Sequence, residues 1–284
     1  MTKTQTAGEG IGVQRGIIIC ADDFAVNQSA SLGIAKLARM RRISATSAMV
    51  LSPRWAQDVV LLQDLRGQID VGLHLDWTSD FAMAAGHGMP LGTAMRRALL
   101  GGLDPAQATR VIERQLDLFE AHWQAPPDYV DGHQHVQQFA GIREALVQVL
   151  AQRYGTLAVK PYLRVSRTPP GLTDLKSRVI SWMGSDALEL IATSAGFTCA
   201  RGLFGIYNFE GGPQRYAALM TRWLASAPAG AILMCHPAQA AEPDDEIGVA
   251  RAQEFAYLGS LDYLAALARS GVQLLRGRDG LEIK

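Results

Sequence analysis

Eight short apolar runs alternate with longer helical patterns along the chain, and this constrains the fold more than any other feature. The runs are Ile17–Cys20, Ala45–Leu51, Ile69–Leu75, Tyr129–Val130, Leu157–Val165, Leu203–Tyr207, Ala231–Cys235 and Val272–Leu275. They lack polar alternation, the pattern of parallel strands covered on both faces. The helices between them have readable starts. Ser52-Pro53 and Asp104-Pro105 each offer an N-cap oxygen followed by proline at the first helical position. Asn27 or Ser29 caps a helix that ends near Arg39, Arg41 and Arg42, whose cations suit the negative end of its dipole. Eight strands alternating with helices over 284 residues predict an α/β chain, either a (β/α) barrel or a large doubly wound sheet. No internal repeat or long linker divides it. The expected organisation is a leader over residues 1–15 and one catalytic domain over 16–284. The stretch Thr168-Pro169-Pro170-Gly171 reads only as a turn, whereas Asp76–Pro90 is long for a βα loop and reads as a lid or binding loop.

Lys+Arg number 27 and Asp+Glu 27, so the formal net charge is zero. That argues against nucleic acid as the main partner and towards a small or neutral ligand. No apolar run approaches the roughly 20 residues that span a bilayer. The polar, Gly-rich start lacks the apolar segment of a secretory signal. Cys20, Cys199 and Cys235 form no CxxC pair, so neither a disulfide framework nor a Cys-rich zinc site is expected. The cytoplasm is the simplest compartment.

Chemistry-bearing side chains gather where the expected strands end. The first ends in Ala21-Asp22-Asp23-Phe24 and the third in Gly72-Leu73-His74-Leu75. The fourth runs into Asp131-Gly132-His133-Gln134-His135 and the seventh into Cys235-His236-Pro237. This edge is where parallel sheets and barrels build active sites. Two adjacent Asp after a buried strand are costly without a partner. Side chains alternate along a strand, so both face one way only if the strand has already ended. A metal ion would bind one carboxylate and leave the other free as a base. Asp23, His74 and His133 supply one carboxylate and two imidazoles, a common set for a catalytic divalent metal. Each group also has a plainer reading. An Asp there is often an N-cap, and a single His such as His74 or His236 is often a satisfied core or rim residue. Asp131, His133 and His135 are all able to face one side of an extended segment. His87 and His122 read as structural or exposed.

On these motifs, together with Leu163-Arg164-Val165-Ser166-Arg167 and Met234-Cys235-His236-Pro237-Ala238, the chain resembles the YdjC-like carbohydrate deacetylase family. That family includes chitooligosaccharide deacetylases and hopanoid-biosynthesis-associated relatives. The resemblance runs from Ile17 to about Leu275. It implies a distorted TIM-like (β/α) barrel related to NodB-type deacetylases, often dimeric. It also implies one divalent metal held by Asp23, His74 and His133, with Asp22 as base, His236 as general acid and Arg164 beside the base. Two histidines favour zinc, while the carboxylate and solvent sites also admit magnesium, manganese or cobalt. Two features depart from the family pattern. Ala25 stands where the family usually has Gly, and the loop after His74 is longer than usual.

The expected reaction is metal-assisted removal of an N-acetyl group from a small amino sugar. His135 is expected to orient a ligand or contact substrate, and Asp131 to support a histidine. Trp77 and Phe81 are expected to form an apolar platform for a sugar face, although aromatics in a loop serve equally as packing anchors. Trp182 and Trp223 lie in helical patterns and read as core. Two alternatives use the same cluster: a metal-dependent phosphoesterase, which would want more cations than Arg164 and Arg167, and a non-catalytic sugar-binding barrel.

Overall fold

The computed structural model describes residues 15–168, 175–200 and 202–281. Residues 1–14 of the expected leader and Pro169–Gly171 of the expected turn lie outside the described residues. Among the described residues, eight strands appear where the apolar runs predict them: β1 Arg15–Phe24, β2 Ala45–Ala48, β3 Asp70–Leu75, β4 Tyr129–Gly132, β5 Tyr162–Leu163, β6 Leu203–Phe204, β7 Ile232–Cys235 and β8 Val272–Leu274. Arg15, placed in the leader from sequence, instead opens β1. Its guanidinium ties down the carbonyls of Leu224, Ala227 and Ser270.

The strands form one curled sheet in the order β5-β4-β3-β2-β1-β7-β6, with β8 paired to the start of β1. Every strand pair is parallel. Between β5 and β6 the barrel is bridged by the segment around Cys199, through Leu163 N to Thr198 O (2.9 Å) and Ala200 N to Leu163 O (3.0 Å), and by Leu203 N to Arg167 O (2.8 Å). This is the distorted (β/α) barrel expected.

The two-residue strand period sorts the side chains into two cores. Ile17, Ile19 and Ala21 of β1 pack under the helices with Val71, Leu73, Val130 and Leu233. Ile18 and Cys20 pack inside the barrel with Ala45, Tyr129, Tyr162, Ile232 and Met234. Continuing the inner series by one step reaches Asp22, Ser47, Asp131, Arg164 and His236. The barrel interior is thus apolar at mid-height and polar at the strand ends, on the same set of alternate positions. Gly72 belongs to the inner set too, because a Cβ there would come within 2.5 Å of the Tyr129 ring.

Capping confirms part of the helix reading. Asn27 accepts from Ala30 N (2.8 Å), and Asp104 accepts from Ala106 N (3.0 Å) at the head of the Pro105–Trp123 helix. Ser52 does not start a helix at Pro53. Its hydroxyl donates to Ala25 O at 2.6 Å and braces the turn after β1. Trp223 is buried as expected, but Trp182 is 70% exposed and joins no core. Its helix, Leu175–Trp182, ends at that residue.

Candidate active site

The adjacent carboxylates enter the site together because β1 breaks its own period. The register slips between Ala21 and Phe24, and Asp23 takes a left-handed backbone with φ 64°. This bulge turns Asp23 back to the side already occupied by Asp22. Ala25 is left-handed as well, with φ 73°, which is the reason glycine suits that position. A second left-handed pair, Gln134 (φ 51°) and His135 (φ 64°), follows β4. The Asp131–His135 segment is therefore not extended throughout, and its three side chains take separate partners.

Asp23, His74 and His133 converge. His74 Nε2 lies 3.4 Å and His133 Nδ1 3.2 Å from the same oxygen of Asp23, Oδ1. One ligand atom from each of the three falls within 4.8 Å of the others. The other ring nitrogen of His74 is 2.6 Å from Asp131 Oδ1, so Asp131 holds the proton on Nδ1 and turns Nε2 towards Asp23. A carboxylate behind a ligating histidine is the usual supporting arrangement for a metal site. The set fits a divalent cation by donor chemistry and by mutual approach. Without a cation the cluster is proton-hungry: against the burial that would lower it, Asp131, Asp23 and Asp22 push the His74 pKa up to about 10.

Asp22 sits beside this group and is held by Arg164 in a two-pronged pair, Nη1 to Oδ1 at 2.6 Å and Nη2 to Oδ2 at 2.8 Å. Arg164 Nη1 is also 3.0 Å from Asp131 Oδ2. Asp22 is buried, which would raise its pKa. Arg164 and then His74 outweigh burial and hold it well below the usual carboxylate range. Cys20, Asp22 and Asp131 form a second acidic group, but the cation between them is this guanidinium.

His236 Nε2 lies 4.0 Å from Asp22 Oδ2. Burial pulls its pKa down to about 4, despite Asp23 and Asp22, so the ring is neutral at pH 7. Its backbone N–H donates to Glu254 Oε2 at 2.5 Å. His135 reaches Ser166 Oγ through Nδ1 at 2.9 Å. Burial and Arg164 keep the His135 ring neutral.

The cluster lies at the floor of a cavity of about 1330 Å³. Phe81 lines that cavity and Trp77 does not. Asp76 accepts from the N–H groups of Thr78 and Ser79, folding the loop back on itself. That turn drives Trp77 into the core, 3% exposed and edge-on to His87. The expected two-ring platform thus reduces to Phe81. His87 is structural, with Nε2 3.1 Å from Asp76 O.

Two site residues escape sequence reading. Arg251 and Glu254, both buried, project from the Gly248–Leu258 helix. Arg251 Nη2 is 2.7 Å from Asp23 Oδ2. Glu254 accepts from Tyr207 Oη at 2.6 Å. Burial pushes its carboxyl up to about 7, against that bond, the His236 N–H and Arg251. Their three-residue spacing in a mostly apolar helix is a faint signal, because exposed helices carry the same spacing.

A chitooligosaccharide deacetylase from Serratia marcescens is 27% identical over 157 residues, covering 50% of this chain and 58% of that protein. The match therefore spans less than two thirds of that relative. Among solved structures, a provisional cellobiose-phosphate cleavage protein from Enterococcus faecalis V583 superposes with a TM-score of 0.69 at 18% identity, covering 94% of this chain and 98% of that one. The Xyl-CE4 domain of a multidomain xylanase from the hindgut metagenome of Trinervitermes trinervoides gives 0.50 at 8% identity, over 94% and 89%. At such identities these two speak for the fold. The model for "YdjC-like protein" matches residues 16–269, and the chain belongs to the YdjC-like family.

Proposed function

We propose that the protein is a metal-dependent hydrolase that removes an N-acetyl group from an amino sugar or short oligosaccharide. The observation that carries this reading is one Asp oxygen facing two imidazole nitrogens, beside a separately held Asp22 and a neutral His236. Asp23, His74 and His133 would hold the metal, with zinc the best match to two imidazoles and one carboxylate. When bound, a divalent cation supplies a Lewis acid that acidifies water and polarises the acetyl carbonyl.

The chain's own groups do the rest. Asp22, kept ionised by Arg164, takes a proton from the attacking water. A carboxyl held so far below the usual range is a strong acid once protonated. It passes that proton on readily, and His236 Nε2 at 4.0 Å stands next in line. His236 gives it to the departing amine as the C–N bond breaks, so acetate and a free amine leave. Asp131 keeps His74 in one tautomer. His135, which lines the cavity, would contact the substrate, and Phe81 offers an apolar face to a sugar ring.

The phosphoesterase alternative is weakened by the charge of the cavity. Asp22, Asp23, Asp80, Glu242, Asp244, Asp245 and Glu246 line it, against Arg54 and Arg251. Both cations are already paired, with Asp58 and with Asp23 and Asp245.

Metal analysis together with acetate release from a panel of N-acetylated sugars tests the proposal. Asp22→Asn is expected to keep bound metal and lose at least ~10²-fold in kcat. Ala at Asp23, His74 or His133 is expected to lose the metal. Full acetate release by Asp22→Asn would remove Asp22 from the role of base.

A further inference from the structure

We infer that Arg251 is a positioning residue that occupies one oxygen of Asp23 so that the other oxygen alone faces the two histidines. The inference rests on reading Asp23, His74 and His133 as a cation site. A carboxylate has two oxygens and can turn about its side-chain bonds to offer either or both. Here the oxygens are divided. Oδ2 takes Arg251 Nη2 at 2.7 Å, while Oδ1 lies 3.2 Å from His133 and 3.4 Å from His74. The short charged bond is of the strong kind, and it opposes rotation of Asp23.

Arg251 is itself fixed from several sides. It is 4% exposed, and its Nε lies 2.7 Å from Asp245 Oδ2. Asp245 also accepts from Asn27 Nδ2 at 3.2 Å, on the cap of the Gln28–Arg39 helix. The Arg251 carbonyl accepts from Ala238 N at 3.1 Å, two residues beyond His236. One residue thus joins the bulge at the end of β1 to the loop and helix after β7. A buried guanidinium is costly to place, and the same two carboxylates could have been relieved by a shorter, more hydrated ammonium. The planar fork reaches Asp23 and Asp245 at once, which an ammonium does with less geometric control.

A merely structural ion pair and a positioning residue predict different results. Arg251→Met removes the cation and keeps much of the apolar stem. Zn²⁺ affinity, measured by competition with a chromophoric chelator, is expected to fall about 10- to 100-fold. The visible absorption spectrum of the Co²⁺-loaded protein is expected to change, because Asp23 is released to offer both oxygens. Arg251→Lys keeps the charge but loses the fork that spans Asp23 and Asp245, and it is expected to recover only part of the affinity, with a spectrum between those of wild type and Arg251→Met. A folded Arg251→Met protein with wild-type Zn²⁺ affinity and an unchanged Co²⁺ spectrum would overturn the proposal. Should that variant not fold, Asp245→Asn loosens Arg251 from its far side without touching a ligand, and an unchanged spectrum and affinity there overturn it equally. Failure of the wild-type protein to take up either ion would instead sink the metal reading on which this one stands. Binding by wild type and variants alike would sink the role of Arg251 alone.

Discussion

Asp22 and Asp23 owe their shared orientation to single backbone angles, and those angles have consequences at neighbouring positions. Ala25 lies two residues on, fully buried and left-handed, with its N–H donating to Ser31 Oγ (3.1 Å) and its carbonyl accepting from Ser52. An L-residue in that conformation carries a cost of ~1–2 kcal/mol that glycine escapes. Glycine in turn adds unfolded-state entropy of roughly 0.5–1 kcal/mol and loses a buried methyl. Ala25→Gly is therefore expected to be nearly neutral, within about 1 kcal/mol by thermal denaturation. Ala25→Val puts a β-branched residue where it is a conformational outlier and overfills the turn, with an expected loss of at least ~2 kcal/mol. Equal melting temperatures for the two variants would contradict this account of the bulge. The departure at Ala25 is thus legible in the sequence as an oddity, while its meaning needs the torsion angle.

At the scale of the element, each inward strand face changes character from end to end. On β3 the series runs Asp70, Gly72, His74, so a carboxylate sits at the foot and a candidate ligand at the head. Asp70 is fully buried, with Oδ2 3.1 Å from Tyr162 Oη and 3.2 Å from Arg278 N. Burial and the nearby Asp128 push its carboxyl up to about 7, against those two bonds and Arg276. The folded state then binds a proton more tightly than the unfolded one, so this group's contribution to stability falls as pH rises from about 4 to about 7. Asp70→Asn is expected to remove that slope, gaining on the wild type across the same window by on the order of a few kcal/mol. Parallel pH–stability curves for the two proteins would exclude it. The strands themselves were legible because a run buried on both faces needs no partner to be recognised. Trp77 and Trp182 were not. Whether an aromatic points into a core or away from it depends on turns and helix ends that composition does not encode.

The whole molecule has equal numbers of acidic and basic residues, yet it does not distribute them evenly. Carboxylates gather around the cavity, and the guanidiniums that approach it are paired. A neutral N-acetylated sugar is therefore expected to bind in preference to the same sugar carrying a phosphate, by about tenfold or more at low salt. Raising ionic strength is expected to narrow that gap. Competition between the two in one binding assay decides it, and tighter binding of the phosphorylated sugar would favour the phosphoesterase reading. The sequence by itself determined the parallel α/β order and the strand ends that carry Asp22, Asp23, His74, Asp131, His133 and His236, because burial on both faces and the two-residue period are local properties. Only the tertiary structure decided which oxygen of Asp23 meets the histidines. It also brought Arg251 and Glu254 under the site and sent Trp77 inward while Phe81 stayed at the cavity. These follow from left-handed torsions and from contacts between segments as much as 228 residues apart, which no local pattern can express.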